Sequence, residues 1–518
     1  MKALKELVKV LSQRKLQQAE IINLSSSRKN RYAEFYHALL DGKIDTDKDA
    51  TRLLYGVEEP NYVTYLMFKR RFQHRLINTI FLTEDKFFRK KAVVDAYLFN
   101  QRTWNVAKIL FAQQHREAAI ALSHQVIRRA LKYEFIDIAV ESSAILRRHY
   151  ATVDRSHTKY KHYKKINIIY SKIRDDEALA ETLYENLIFR FNKVYRKAKF
   201  LAEVEEAILQ LEQLQPMTEV GRLQFLYFLI LVVKHTAWND FRSVLEVCDT
   251  AISFLSKKNN PQKNTLSIFW NHKIQGCIQL RRFEEGAASL DVAQSLLAEG
   301  SLNWFVHLEL RLKLAIHSQR YDVALLTYHH GISHPAFVGS LANRLRATWQ
   351  LYEAYLFFLV TIKAIKTPKS ELPPSLQKFK MNKFVKAVWQ ATTDKLGGNI
   401  AVLIIQVVLL ILQKDYDKLI DTMDAISKYN VRYLKQNEQL RVKFFIKMLL
   451  QIPAVDFHRA AVIRKTATFL KKMQGIPIDL SENSTDNEIV PYEELWAFIL
   501  EMLENKHRSS PQKKSKTT

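Results

Sequence analysis

Two stretches of this chain bring cations and aromatic rings together at spacings that could grip a phosphate backbone. In the first, Lys69, Arg70, Arg71 and Arg75 alternate with Phe68 and Phe72; in the second, residues 155–165 interleave Lys159, Lys161, Lys164 and Lys165 with Tyr160 and Tyr163. Cations neutralise phosphates and rings stack on bases, so these eight cations are the candidate nucleic-acid contacts. Other chemistry is poorly served. No Gly-rich phosphate loop and no His-Glu-x-x-His occurs, and His272 and Cys277 fall on different faces of a helix. Asp154 and His157 form an isolated pair, and the adjacent His329 and His330 point apart. The two cysteines, Cys248 and Cys277, have no partners at disulfide or metal spacing and lie on apolar faces, as core thiols do. The expectation is a non-catalytic protein with no cofactor and no metal.

The elements around these residues decide how the cations are presented. Thr46 and Asp49 have capping-box spacing, a short helix runs to Gly56, and a longer helix follows with Phe68, Phe72, Leu76 and Ile80 at four-residue intervals. The arrangement is similar to a helix-turn-helix, whose second helix would enter a major groove. Glu58, Glu59 and Pro60 stand where base contacts belong, which favours an amphipathic helix with a solvated basic face. In the second stretch Tyr160, Tyr163, Ile166 and Tyr170 share about a third of a helix circumference. They are expected to pack inward and leave the lysines on a solvated face, so the nucleic-acid reading is the alternative, not the favoured one.

Helical periodicity continues along most of the remaining chain. Gly 11 and Pro 11 in 518 residues leave few turns for a sheet, and 47% hydrophobic residues exclude a largely disordered chain. The expected organisation is a basic helical module at 1–85, helical repeats over 86–473, an acidic loop and capping helix at 474–505, and a disordered basic tail at 506–518. Breaks are expected at 257–264, at the three-proline stretch 367–374, and at 475–491. A helix boundary is also read between 173 and 176. Residues 400–412 form the most apolar run, too short to cross a bilayer and read as a buried helix. With no uncharged apolar leader before Lys9 and Arg14, a cytoplasmic location without membrane insertion is expected.

One phrase recurs between helices: Arg282-Phe283-Glu284-Glu285-Gly286 and Arg320-Tyr321-Asp322-Val323-Ala324, and more loosely Asp240-Phe241, Glu134-Phe135 and Asp415-Tyr416-Asp417. Over residues 240–335 the pattern resembles a tetratricopeptide repeat. Trp270 falls at that family's first-helix aromatic place, Phe283 at the turn, and Gly286 and Ala293 at the small positions. In the next pair Tyr321, Ala324 and Tyr328 take the corresponding turn, small and aromatic places. Ile274 and Leu312 depart from the family's small first-helix position, and the intervals of 42 and 38 residues from Phe241 to Phe283 to Tyr321 exceed its 34. The resemblance implies an all-α, tetratricopeptide-like α-solenoid of stacked antiparallel helix pairs, whose concave face holds an extended peptide or a partner helix. Phe283 and Tyr321 are both expected to fill the space between paired helices.

Net charge is +26, from 79 basic and 53 acidic residues. Residues 1–200 carry 39 against 22, or +17, and the remainder 40 against 31, or +9. Such a field favours an acidic protein or peptide partner, nucleic acid or an anionic surface, and it equally aids solubility. The function read from the sequence is an interaction scaffold or adaptor. The alternative is a nucleic-acid-associated regulator with a helix-turn-helix-like module at 1–85.

Overall fold

A computed structural model describes residues 1, 3–5, 7–8, 31–59, 61–82, 92–191, 197–214, 221–258, 263–337, 343–391, 398–433, 440–476 and 488–504. Among the described residues the protein is all-helical, with no strand. It comprises two compact units, Met1–Asp175 and Asp176–Thr518. The sequence-based boundary at 85/86, the acids Asp479, Glu482 and Asp486, and the tail 506–518 lie outside the described residues.

Most helices start and stop within a few residues of where periodicity places them. Two differ. A single helix, His157–Phe191, replaces the expected pair broken at 173–176. Arg174-Asp175-Asp176-Glu177 contains residues of modest helix propensity but no Gly or Pro, so the ladder runs through. The segment after the three prolines is not one continuous helix but a one-turn Pro374–Gln377 and a separate Met381–Ala391. The preceding helix ends at Thr361, before the three-proline stretch, at a left-handed Lys363 whose next N–H, from Ala364, donates to the Leu359 carbonyl at 3.0 Å.

The recurring phrase corresponds to one recurring turn. Gln114, Glu134, Asn239, Arg281, Gln319 and Lys414 each adopt a left-handed backbone, with φ between 56° and 66°. In each case the next residue's N–H donates to the carbonyl five residues back, from His115 to Leu110, Phe135 to Ala130, Asp240 to His235, Arg282 to Cys277, Arg320 to Ala315 and Asp415 to Leu410, at 2.8–3.1 Å. This is the Schellman ending, and the following helix begins two residues after the left-handed one, at Arg116, Ile136, Phe241, Phe283, Tyr321 and Tyr416. A left-handed L-residue costs roughly 1–2 kcal/mol, so packing between successive helices must hold these turns.

That packing is apolar and close. The amino-terminal module has its own core of Phe35, Tyr65, Phe68, Phe72 and Leu76. In the central pairs Ile274, Cys277, Ala293 and Ala324 have no exposure at all. A Cβ on Gly286 would come within 2.5 Å of Leu314 Cδ1, and one on Gly331 within 2.1 Å of the Trp349 indole, so both positions admit close helix approach. Tyr321 is buried as expected, but Phe283 is only partly buried and belongs to no described core cluster, which corrects its assignment as a space-filling ring. Residues 400–411 are buried except for the partly buried Gln406, and no described helix is long and apolar enough to cross a membrane.

Candidate interaction site

The cations of the amino-terminal module are not presented together. The capping box forms as its spacing predicts: Thr46 Oγ1 accepts from Asp49 N at 3.3 Å, and Asp49 Oδ2 accepts from Thr46 N at 2.7 Å. Gly56 ends that helix at φ 69°. The cap brings Asp47 against the long Val63–Leu82 helix, where Lys69 Nζ donates to it at 2.7 Å and Tyr65 donates from its hydroxyl. Burial would raise the Asp47 carboxyl, but these two donors together hold it below the usual range. Arg75 stacks 4.2 Å above the Tyr32 ring. Arg70, Arg71 and Arg75 are exposed and only Lys69 is partly buried, and exposed Val63, Leu66, Met67 and Ile77 lie on the same helix. The outer face is thus mixed, its exposed apolar residues standing among Arg70, Arg71, Gln73, His74 and Arg75.

In the second stretch the expected division holds. Tyr163 is buried and Tyr160, Ile166 and Tyr170 are partly buried, while Lys161, Lys164 and Lys165 are exposed, Lys164 with its ammonium 5.7 Å over the Tyr160 ring. Lys159 stands apart from them, 4.8 Å over the Tyr150 ring and 3.7 Å from Asp154. These lysines belong to a strongly basic part of the chain: residues 101–174 hold 15 Lys and Arg against 5 Asp and Glu, a net of +10. Exposed Ile168 and Ile169 adjoin the lysine face.

The same helices hold a group that no local spacing announces. His124 Nε2 lies 2.7 Å from the Tyr150 hydroxyl and Nδ1 lies 2.9 Å from the Tyr163 hydroxyl, linking three successive helices. Burial, then Lys159 and Arg128, lower the His124 pKa, so the ring is neutral and donates through one nitrogen while accepting through the other. Both phenols are buried, so the arrangement fixes helix packing.

Of the repeat residues, Gly286, Ala293, Tyr321, Ala324 and Tyr328 are buried between helices, and Trp270 bridges two neighbouring cores. Lys273 Nζ sits 5.6 Å over the Trp270 ring and 2.6 Å from Asp249. Cys248 and Cys277 are free thiols buried as expected; burial pushes the Cys277 thiol up to about 12.

Sequence reasoning missed the densest polar cluster. Arg441, on the Leu440–Gln451 helix, is 6% exposed and meets two carboxylates at once. Nε and Nη2 donate to Glu488 at 2.9 and 2.7 Å, and Nη1 and Nη2 donate to Glu493 at 3.0 and 2.7 Å. Nη1 also donates to the carbonyls of Met473 and Ile476 at 3.0 and 2.9 Å. Burial raises the Glu488 pKa; for Glu493 the bonds from Arg441 outweigh burial and lower it. Glu488 additionally accepts from Tyr492 N at 2.6 Å, at the start of the Tyr492–Glu504 helix. His317 Nε2 donates to the Glu488 carbonyl at 3.0 Å, and the Tyr321 hydroxyl donates to Glu494. The carboxy-terminal helix and the residues just before it, expected only to seal the last repeat, therefore also engage residues 171 to 173 positions earlier.

Comparison with protein-family models, curated proteins and solved structures finds no match, so function is read from this chain's own side chains.

Proposed function

We propose that the helix pairs stack as a tetratricopeptide-like solenoid and that the protein is a non-catalytic interaction scaffold or adaptor for an acidic protein segment. The observation that carries the reading is the exposed face of Lys161, Lys164 and Lys165 beside Ile168, within a stretch whose cations outnumber its acids 15 to 5. Cations flanked by exposed apolar surface suit an acidic segment with hydrophobic anchors. The turn repeated at 114, 134, 239, 281, 319 and 414 supports a common helix-pair building block. Against the nucleic-acid alternative stand the separate engagements of Lys69 with Asp47 and Arg75 with Tyr32.

The test is the affinity of the full chain for a fluorescent glutamate-rich peptide containing leucine anchors. Binding is expected to saturate, to weaken with salt, and to fall at least tenfold in Lys161→Glu/Lys164→Glu/Lys165→Glu with helicity unchanged. Binding that is absent, or equal in the variant, overturns the reading.

A further inference from the structure

We infer that the outer face of the Val63–Leu82 helix is a docking site for one helix of a partner protein, an amphipathic helix whose apolar stripe is interrupted midway by a carboxylate. The inference goes beyond the lysine-face reading above and concerns a different surface.

The Val63–Leu82 helix carries apolar residues on two opposite sides. Tyr65, Phe68, Phe72 and Leu76 fill the core of the amino-terminal module. On the far side, Val63, Leu66, Met67, Arg70, His74 and Ile77 fall within about 100° of the circumference. They recur at i, i+3, i+4, i+7, i+11 and i+14, the spacing through which one helix meets another. Val63, Leu66, Met67 and Ile77 are 69%, 43%, 53% and 47% exposed. A single exposed apolar side chain is ordinary. Four on one line, over about 21 Å of helix, make a patch of the kind that marks an interaction site.

Charge decides the occupant. This helix has Lys69, Arg70, Arg71 and Arg75 and no acid. Arg70 stands on the midline of the stripe, seven residues from Val63 and seven from Ile77, and it has no ion pair among the described residues. Because Arg70 is central, two copies of the chain pairing in register through this face, parallel or antiparallel, would set Arg70 against Arg70. That like-charge contact disfavours a dimer. A phosphate backbone would meet apolar side chains at both ends of the stripe. A lipid surface suits cations around an apolar face, not at its centre. A partner helix with a carboxylate opposite Arg70 and apolar residues on either side of it pairs the charge and covers all four apolar side chains.

The experiment titrates a fluorescein-labelled, hydrocarbon-stapled helix of about 15 residues into the full chain. The probe is neutral but for one glutamate at its midpoint and bears leucines spaced to meet Val63, Leu66, Met67 and Ile77. Saturable binding is expected to fall by roughly tenfold in Arg70→Glu and to return when the probe's glutamate is replaced by lysine. Met67→Ser/Ile77→Ser is expected to lose the probe with helicity unchanged, and Lys161→Glu/Lys164→Glu/Lys165→Glu to keep it. No saturable binding, binding kept by Met67→Ser/Ile77→Ser, or an Arg70→Glu chain that does not distinguish the two probes overturns the inference. Dimerisation of the unaltered chain that Met67→Ser/Ile77→Ser abolishes assigns the face to a second copy and overturns the choice of partner. Cosedimentation with phosphatidylserine vesicles, lost in the same variant, assigns it to a lipid surface and does so too. If the stapled helix binds while the glutamate-rich peptide does not, this inference stands and the lysine-face reading falls; the reverse result removes this inference alone.

Discussion

Replacing Arg441 with methionine keeps the side chain's length and removes its charge. The guanidinium is 6% exposed and satisfies Glu488, itself 3% exposed, together with Glu493 and the carbonyls of Met473 and Ile476. Its loss leaves a buried carboxylate pair without a counter-charge, which costs about 3–5 kcal/mol. Neutralising the carboxylates should recover much of this. Glu488→Gln/Glu493→Gln added to Arg441→Met is expected to cost only about 1–2 kcal/mol, the residue of lost hydrogen bonds. Urea unfolding followed by tryptophan fluorescence reports the change, since Trp496 is 2% exposed in the adjoining helix. Amide hydrogen exchange over 488–504 localises it. Additive effects, or a loss below 1 kcal/mol for Arg441→Met, would refute the claim that this cluster holds the segment in place.

His307 is wholly buried with neither ring nitrogen partnered among the described residues, and burial lowers its pKa to about 4, as it does for His317. Between about pH 6.5 and 4 the unfolded chain takes up protons that the folded chain refuses, so stability is full above 6.5 and falls with acidification, by about 3 kcal/mol for each group. His307→Leu should flatten the acid limb of a melting-temperature profile and leave stability near pH 7 unchanged or higher. Gly331→Ala should destabilise by about 1–3 kcal/mol in chemical unfolding, because the new Cβ meets the rigid Trp349 indole at 2.1 Å. Gly286→Ala, which meets the flexible end of Leu314, should cost less. Lys414→Gly should stabilise by about 0.5–1 kcal/mol, relieving a left-handed residue at φ 58° against the greater entropy of unfolded glycine. A lowered denaturation midpoint would show that the turn is not strained.

The helical course was legible because it rests on local periodicity. The phrase at Arg282-Phe283 and Arg320-Tyr321 located the turns, although the residues that make them, such as Arg281 and Gln319, have no turn-forming side chain. Their conformation is imposed by the helices on either side. Phe283 and Tyr321 share a motif position, yet it is Tyr321 that is buried and meets the partly buried Glu494 from far along the chain. The inward tyrosines and outward lysines of 155–165 followed from helical angle. Lys69 and Arg75 did not, since their engagement depends on Asp47 and Tyr32 from other elements. Arg441 looked like one cation among many; its role depends on carboxylates 47 and 52 residues away, a separation no spacing rule reaches.

The central claim is that the cationic chain recognises an acidic protein segment and not nucleic acid. Its most direct test is a parallel anisotropy titration of the full chain, at physiological salt, with the glutamate-rich peptide and with random duplex and single-stranded DNA. The peptide is expected to saturate, and DNA to bind no more tightly than a nonspecific roughly 10⁻⁴ to 10⁻⁶ M. A submicromolar, sequence-selective DNA complex, abolished by Lys69→Glu/Arg71→Glu/Arg75→Glu, would contradict the account and make the amino-terminal module the functional site.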